Sequence, residues 1–300
     1  MIRYNILTND NARGQFIEGC LQLKEEPLGT SGLFTYDYFV WWHHRAMMAP
    51  MPDPAVASNP FNRNGAHSGP VFGPWHRYLL LIFEFQMRRV LNDDDFRLPY
   101  WDWGTETGSA NAIWNAEVMG DPAGVVNTGA FRDGGRFAIN IAQDGNRDAF
   151  DIGTQPLRRN LGGSDVSSPP SNADVRTIVA ANPIYAASPW NDSILTAGFR
   201  RPLEYALHNR IHRLVGGHML DSTSPNDPVF WLHHANIDRI WSAWQAYHNA
   251  PYLPQNGPAE LNGHRYQDRM HSFINQTVTP EMVDNHTAYY TYDTRSNVTP

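Results

Sequence analysis

The 300-residue sequence predicts a mainly α-helical fold, in which a central four-helix bundle holds a binuclear metal site among long irregular loops and few short strands. Two observations predict it. Histidines recur in two separate sets beside apolar helical stretches, and metal sites in bundles are built from side chains on facing helices. The stretch 104–200 is rich in Gly, Asn, Asp and Pro, which indicates loops rather than a second core.

Four helices are expected, at residues 34–48, 76–91, 202–215 and 233–248. The segment FVWWHHRAMM has mixed periodicity, which is typical of a helix buried on most sides. Residues 249–300 are expected to form loops with short strands, and no internal repeat is evident. With 41% hydrophobic residues the chain can bury a sizeable core, so we expect residues 1–300 to form a single catalytic domain.

Composition excludes several classes of function. The net charge is −7 without a basic stripe, which argues against nucleic-acid binding. No apolar run is long enough for a membrane span. Cys20 is the only cysteine, so no intrachain disulfide is expected. The N-terminus lacks a signal-peptide pattern, which leaves two locations open: cytoplasmic, or secreted with a partner or after signal removal.

The histidines carry the chemistry. His208 and His212 are four residues apart and share one helix face, whereas His233 and His234 point about 100° apart, so at most one of these two faces a given metal. Alone, each histidine is better explained as a surface or hydrogen-bonded core residue. Together they indicate a metal site, because imidazole suits copper, zinc, iron and nickel. The remaining candidates are His43, His44, His67 and His76.

Two motifs connect these histidines to a known family. The first comprises His67, Phe72, Trp75, His76, Arg77 and Glu84. The second comprises Asp227, Pro228, Phe230, Trp231, His234 and Asp238. With these motifs the chain resembles the tyrosinases, type-3 binuclear copper proteins related to catechol oxidases and hemocyanin units. The likeness runs nearly end to end, and it resembles a bacterial-type core without a C-terminal shielding domain.

The resemblance implies two copper ions and selects their ligands. It favours His43 over His44, because YDYFVWWH resembles the family's first-ligand helix, and by register it favours His234 over His233. Gly65 stands where fungal and plant relatives often carry a cross-linked cysteine, and Gly73 replaces a larger apolar residue and is expected to loosen the turn before His76. One copper is assigned to His43, His67 and His76, and the other to His208, His212 and His234.

The family activity implied is hydroxylation of monophenols and oxidation of catechols to o-quinones with dioxygen. The partners expected are therefore a phenol and dioxygen, together with a possible copper-delivering protein. Two alternatives remain within the family: a catechol or o-aminophenol oxidase with little hydroxylase activity, and a hemocyanin-like oxygen carrier. A di-zinc hydrolase is a further alternative, although it would be expected to use carboxylate ligands.

Hydroxylation requires an acceptor for the phenol proton, because an exposed phenol has a pKa of about 10. The resemblance assigns this role to a water held by Glu204 and Asn209. The alternative for Glu204 is an ion pair with Arg200 or Arg201. A Glu204 side chain that points away from the site favours the catechol or o-aminophenol oxidase.

The resemblance also suggests substrate contacts and supporting residues. Arg213 is expected at the entrance, where it binds a substrate carboxylate, or else it is a surface arginine. Asp238 is expected to anchor the histidine ligands from behind, or to pair with Arg239 or Arg210. The other expected members are the pocket-wall residues Met219, Ser222 and Thr223, the packing residue Phe230, and the closing residues Arg3, Tyr290 and Tyr292.

Overall fold

A computed structural model describes residues 1–52, 63–105, 112–143, 150–188, 190, 198–272 and 276–300, with residues 143 and 150–152 given by their backbone alone. Within these ranges the helices are α1 Asp10–Glu25, α2 Thr35–Met48, α3 Phe72–Leu91, α4 Asn172–Ala181, α5 at 200–215, α6 Val229–His248 and α7 Pro280–Asp284. The strands are β1 Ile2–Arg3, β2 Ala123–Val125, β3 Ile139–Gln143, β4 Phe150–Gln155, β5 Arg158–Asn160 and β6 Thr291–Tyr292.

The four predicted helices are present as α2, α3, α5 and α6, but three of them begin earlier than expected, α5 by two residues and α3 and α6 by four. Helix α3 begins at Phe72 rather than at His76, because Pro74 lies in the first turn, where its missing N–H is tolerated. Helix α6 begins at Val229 rather than at His233, with Val229 N donating to Asp227 Oδ1 at 3.1 Å. His76 and His234 therefore lie beyond the first helical turn, on regular helix.

Helix α5 changes its hydrogen-bond pattern beside the site. It begins as Arg200–Pro202, becomes a π-helix over Leu203–His208 and continues as α-helix over Asn209–Val215. The backbone N–H of Asn209 donates to the carbonyl of Glu204, five residues earlier. Single turns of π-helix are rare and are frequent at functional sites, where they redirect side chains.

Three helices were not expected: α1, α4 and the short α7, which lies in the stretch 249–300 that was expected to form loops with short strands. Helix α1 is capped by Asn9, whose side chain accepts from Ala12 N at 2.9 Å, and it buries Phe16, Cys20 and Leu23. Helix α4 lies inside the stretch expected to be only loops, and it begins with a capping box in which Ser171 and Asp174 bond reciprocally. Both caps are readable as helix-start signals, so the sequence contained information that the loop-rich composition obscured.

The core is formed by helix packing with a dense aromatic layer. Helix α3 packs on α1, α6 and α7, and α6 also contacts α4 and α5. Every residue of α6 from Val229 to Trp244 is buried, as expected of a helix in the centre of a bundle. The rings of Phe83 in α3 and Trp231 in α6 stack with their centroids 3.6 Å apart.

The strands form three small two-stranded sheets: β1 with β6 in parallel, β2 with β5 and β3 with β4 antiparallel. The first joins the two ends of the chain. There Arg3 Nε donates to Glu84 at 3.0 Å, Arg3 Nη1 lies 3.3 Å from the Tyr292 hydroxyl, and the Arg3 guanidinium stacks on the Tyr290 ring. The predicted closure of the core by Arg3, Tyr290 and Tyr292 is thus confirmed.

The two glycine departures have a packing explanation. A Cβ on Gly73 would lie 2.7 Å from the Tyr185 hydroxyl and 3.1 Å from the Trp241 ring. A Cβ on Gly65 would lie 2.7 Å from the Cβ of His271. The sequence led us to expect that Gly73 loosens the turn before His76. This expectation is wrong, because neighbouring aromatic side chains fill the space beside Gly73.

No helix within the described ranges has the length and apolar character needed to cross a membrane.

Candidate metal centre

The first histidine cluster joins α2, the loop after it and α3. His43 comes from α2, His67 from the loop and His76 from the second turn of α3, and all three are buried. Their potential ligand atoms lie within 4.8 Å of one another, a spacing that one metal ion can bridge. His67 is set by its backbone N–H, which donates to Asn64 Oδ1 at 2.7 Å.

The second histidine cluster lies between α5 and α6. His208 and His212 follow each other by one turn on α5, and His233 and His234 come from α6. The Nε2 atom of His234 lies 3.3 Å from the Nε2 atoms of both His208 and His212. Three ring nitrogens thus converge on one point, as the sequence predicted for this triad.

The two clusters face each other across the bundle. The rings of His76 and His234 stack with centroids 4.4 Å apart, and those of His67 and His208 lie 5.7 Å apart. Phe230 lies against both clusters, with its ring centroid 5.1 Å from His43 and 4.0 Å from His234. This is the position expected of Phe230, and the arrangement accommodates two metal ions in one shared interior.

Hydrogen bonds from behind orient three of these rings. His43 Nδ1 lies 2.7 Å from the Ser222 carbonyl, His76 Nδ1 2.8 Å from the Phe72 carbonyl, and His212 Nδ1 2.5 Å from the Met219 carbonyl. A carbonyl only accepts, so Nδ1 carries the proton and Nε2 presents its lone pair to the interior. Such fixed tautomers are typical of metal-binding histidines.

The donor set fits a metal ion on two further grounds. Nε2 of His43 and of His76 and Nδ1 of His67 are buried without a hydrogen-bond partner among the described residues, and such atoms require an explanation. Burial is the main cause that lowers the pKa of His43 to about 3 and of His212 to about 4, and it also lowers the pKa values of His67, His76, His208 and His234 well below the ordinary value of histidine. All six imidazoles are therefore neutral at pH 7, as ligation requires.

His233 lies beside the second cluster. Its ring stacks on His208 with centroids 5.3 Å apart, and both of its nitrogens are buried without a hydrogen-bond partner in the described part of the chain. The short distances between Nε2 atoms belong to His234, however. Ring nitrogens of all four histidines nevertheless lie within 4.8 Å of one another, so the choice of His234 over His233 stays a prediction.

A cavity of about 200 Å³ opens from the two clusters to the surface. Four of the predicted ligands line it: His43, His67, His208 and His212. The walls comprise Met47, Asn209, Arg213, Leu220, Asp221 and Ser224. Among the predicted residues, Asn209 and Arg213 therefore contact the space in which a substrate would lie.

Met219, Ser222 and Thr223 were expected to line this cavity, but they are not among the described residues of its wall. All three are buried. The carbonyls of Met219 and Ser222 hold His212 and His43, and the Ser222 hydroxyl lies 2.7 Å from His44 Nδ1. The loop supports the ligands from behind, a role that no pattern in the sequence signals.

Glu204 is also placed differently from its expected role. Its carboxylate is buried, accepts the Ser68 N–H at 2.8 Å and pairs with Arg200, which was the alternative expectation. It is not among the described residues of the cavity wall. Ser68 directly follows His67 and has φ 61°, a left-handed conformation that is unusual outside glycine. Glu204 therefore supports the turn that carries His67.

Asp238 makes neither of its expected contacts. Its carboxylate accepts from Arg77 Nε at 2.6 Å and from the Tyr290 and Tyr292 hydroxyls, and Arg3 Nη1 lies 3.5 Å away. Burial opposes its ionisation, but Arg77 and Arg3 hold the pKa of Asp238 below its ordinary value. Since Arg77 follows His76, Asp238 acts on the ligands through α3 rather than through a histidine ring.

Arg213 reaches the cavity wall, but its charge is shared. Its Nε atom lies 3.2 Å from Asp165 Oδ1 and the guanidinium pairs with the same carboxylate at the surface. Sequence reasoning missed Met47, Leu220, Asp221 and Ser224 in the wall. Met47 lies one helical turn after His43, so its spacing was a usable signal. Asp221 lies on a loop, for which spacing predicts no direction.

Comparisons with known proteins agree with this geometry. The family model for the common central domain of tyrosinase matches residues 34–247. The chain is 37% identical over 298 residues to the tyrosinase of Streptomyces glaucescens, covering 96% of each chain. It is 31% identical over 328 residues to grixazone synthase of Streptomyces griseus, covering 97% of this chain and 99% of the relative.

Among solved structures, tyrosinase from Burkholderia thailandensis has the same fold, with a TM-score of 0.65, 16% identity, and coverage of 98% of this chain and 74% of that chain. All six predicted ligands lie inside the range that the family model matches. Because that range is most of the chain and the relatives match nearly end to end, the chain belongs to the tyrosinase family of binuclear copper oxidases.

Proposed function

We propose that this copper oxidase hydroxylates monophenols to catechols and oxidises catechols to o-quinones. The observation that carries the proposal is the position of Asn209, which lines the cavity directly beside His208. When bound, the copper pair supplies dioxygen activation and accepts electrons from the phenol. The protein supplies the shape of the cavity, the neutral ligands and the handling of the phenol proton.

Asn209 is oriented for that proton. Its Oδ1 atom lies 2.7 Å from His208 Nδ1, so the amide oxygen accepts there and the NH₂ group is directed elsewhere. An NH₂ group donates but does not accept, and it can hold a water through one lone pair of the water oxygen. The other lone pair remains available for the phenol proton. In this proposal Asn209 alone holds the water, and Glu204 supports His67.

A second candidate is an oxidase of catechols or o-aminophenols with little hydroxylase activity. The engagement of the Glu204 carboxylate by Ser68 N–H and Arg200 favours it, because this carboxylate is then a poor proton acceptor. Removal of the first proton from a catechol is easier than from a monophenol, so such substrates depend less on a base.

Oxygen uptake by the copper-loaded protein separates the two. Tyramine, primed with a trace of catechol, is compared with catechol and with o-aminophenol. Uptake on all three supports the tyrosinase proposal. Uptake on catechol and o-aminophenol alone supports the second candidate, and bound copper without uptake on any of them contradicts both and leaves the oxygen carrier.

We also infer that copper reaches the ligands through the same cavity, since four of the six ligands line it. The expected copper-delivering partner would then contact the cavity mouth. Incubating metal-free protein with a copper salt tests the need for it. Full loading to two ions per chain would make a partner dispensable, and partial loading would support one.

A further inference from the structure

The cavity mouth contains a carboxylate that the proposed reaction does not use. Asp221 lines the cavity with Asn209, Arg213 and Leu220. Its side chain forms no hydrogen bond or salt bridge with another described residue. Partial burial raises the pKa of Asp221 from 3.8, and the opposing influence comes from His218. His218 accepts the Arg158 backbone N–H through Nδ1, and burial lowers its pKa, so it is neutral at pH 7.

The positive group at the same mouth is already compensated. Arg213 pairs with the surface carboxylate of Asp165. The charges of Arg213 and Asp165 cancel, so Asp221 remains as one uncompensated negative charge at the mouth. The same wall contains the apolar side chains of Met47 and Leu220.

We propose that Asp221 is a specificity-determining residue, which selects phenols carrying a cationic amine at the end of the side chain opposite the hydroxyl. The inference rests on the proposed function. A phenol whose oxygen faces the histidines directs its para substituent outward, towards the mouth. A protonated amine there meets the free carboxylate, whereas a carboxylate substituent meets a like charge.

The test uses a matched pair of catechols, dopamine and dihydrocaffeate, with the copper-loaded protein at neutral pH. The wild type is expected to favour dopamine in kcat/KM. In Asp221→Asn the ratio of the two kcat/KM values should fall about tenfold. Loss of this partly exposed charge should lower kcat/KM for dopamine about threefold and raise kcat/KM for dihydrocaffeate about threefold. Asp94→Asn, an exposed carboxylate away from the cavity, is the control and should leave the ratio unchanged.

Salt provides a second measurement that needs no variant. The wild-type preference should shrink between about 0.01 M and about 1 M salt, where the Debye length shortens from about 30 Å to about 3 Å. An unchanged ratio in Asp221→Asn, or a preference insensitive to salt, would overturn the proposal. Restoration of the preference in Asp221→Glu would support it.

A binding measurement distinguishes failure of this inference from failure of the proposed function. Zinc-loaded protein is titrated calorimetrically with tyramine and with phloretate, which zinc does not oxidise. Tighter binding of tyramine, lost in Asp221→Asn, supports the role of Asp221 even if the copper form proves inactive. Equal binding of both phenols contradicts it whatever the copper form does.

Discussion

At the scale of single residues, the metal centre depends on which ring nitrogen each histidine turns inward. His43, His76 and His212 present Nε2 because a backbone carbonyl takes up Nδ1–H. A main-chain acceptor cannot be removed by a side-chain substitution, so these tautomers depend on the path of the backbone, in the loop at 219–222 for His43 and His212 and in the first turn of α3 for His76. Which of His233 and His234 is the ligand is a separate question from the tautomers, because both rings lie in the same cluster.

His234→Ala should reduce bound copper from two ions to about one per chain, because it removes a nitrogen that lies 3.3 Å from two other ligand atoms. His233→Ala should keep both ions and change mainly stability, as expected of a packing residue. Atomic absorption of the reconstituted variants measures the stoichiometry. Loss of an ion in His233→Ala with retention in His234→Ala would reverse the ligand assignment.

Asn209→Ala should lower the rate on tyramine by about 100-fold, at the lower end of contributions from proton transfer, while the rate on catechol changes much less. The reason is that only the monophenol must give up a proton of high pKa before it binds. The ratio of the two rates is the measurement, with copper content checked in each sample. An unchanged ratio would remove Asn209 from the proton path.

At the scale of elements, α5 connects the two clusters. Its π-helical segment Leu203–His208 carries Glu204 at one end and the ligand His208 at the other. Through Ser68, Glu204 also holds the turn after His67 in the first cluster. One segment therefore positions ligands of both ions.

Glu204→Gln should destabilise the protein by about 1.5–3 kcal/mol, the usual contribution of hydrogen bonds to a charged group. It should also weaken copper binding at the first cluster, because the turn with φ 61° at Ser68 loses its charged acceptor. Urea unfolding and copper titration measure the two effects. The exposed Glu117→Gln is the control, and equal effects in both variants would contradict the supporting role.

At the scale of the whole molecule, buried charges tie distant parts of the chain together. Asp238 of α6 joins Arg3 near the N-terminus, Arg77 of α3 and the C-terminal Tyr290 and Tyr292. Asp227 binds Arg159 of β5 through two hydrogen bonds of 2.7 and 2.8 Å and also caps α6. The ligand helices are thereby held by strands from both ends and from the middle of the chain.

Asp238→Asn should cost about 3–5 kcal/mol, because it leaves two buried guanidinium groups without their shared counter-charge. Thermal or urea unfolding of the metal-free protein measures the loss. Asp94→Asn, a carboxylate exposed at the surface, should unfold like the wild type. A loss below about 1 kcal/mol in Asp238→Asn would mean that the network contributes little.

The metal-free protein should lose stability as the pH falls below 6.5. Folded-state pKa values of the site histidines are depressed, to about 3 for His43 and about 4 for His212, so between pH 6.5 and 4 the unfolded chain binds more protons. Stability is retained above 6.5 and declines by up to about 1.4 kcal/mol per pH unit for each such histidine. Urea midpoints at several pH values measure this, and a flat profile between pH 6.5 and 4.5 would contradict it.

The sequence by itself determined the family, the bundle helices and the histidines of the two clusters, because the spacing of histidines on helices is a local property of the chain. His208 and His212 share a face by periodicity alone, and the motif around Phe230 and His234 sets the register. Helix starts were less predictable, since Pro74 and Pro228 are compatible with either side of a helix boundary.

The tertiary structure alone decided what surrounds the ligands. Asp238 lies one turn after His234, which suggested a contact with the ligand ring, but packing brought Arg77 and Arg3 to its carboxylate instead. From the sequence, Glu204 could either hold a water at the site or form an ion pair. In the structure its carboxylate pairs with Arg200 and accepts the Ser68 N–H. Asp221 entered the cavity wall through a loop whose path has no periodicity. Long-range contacts depend on where elements pack, and spacing along the chain carries no information about that.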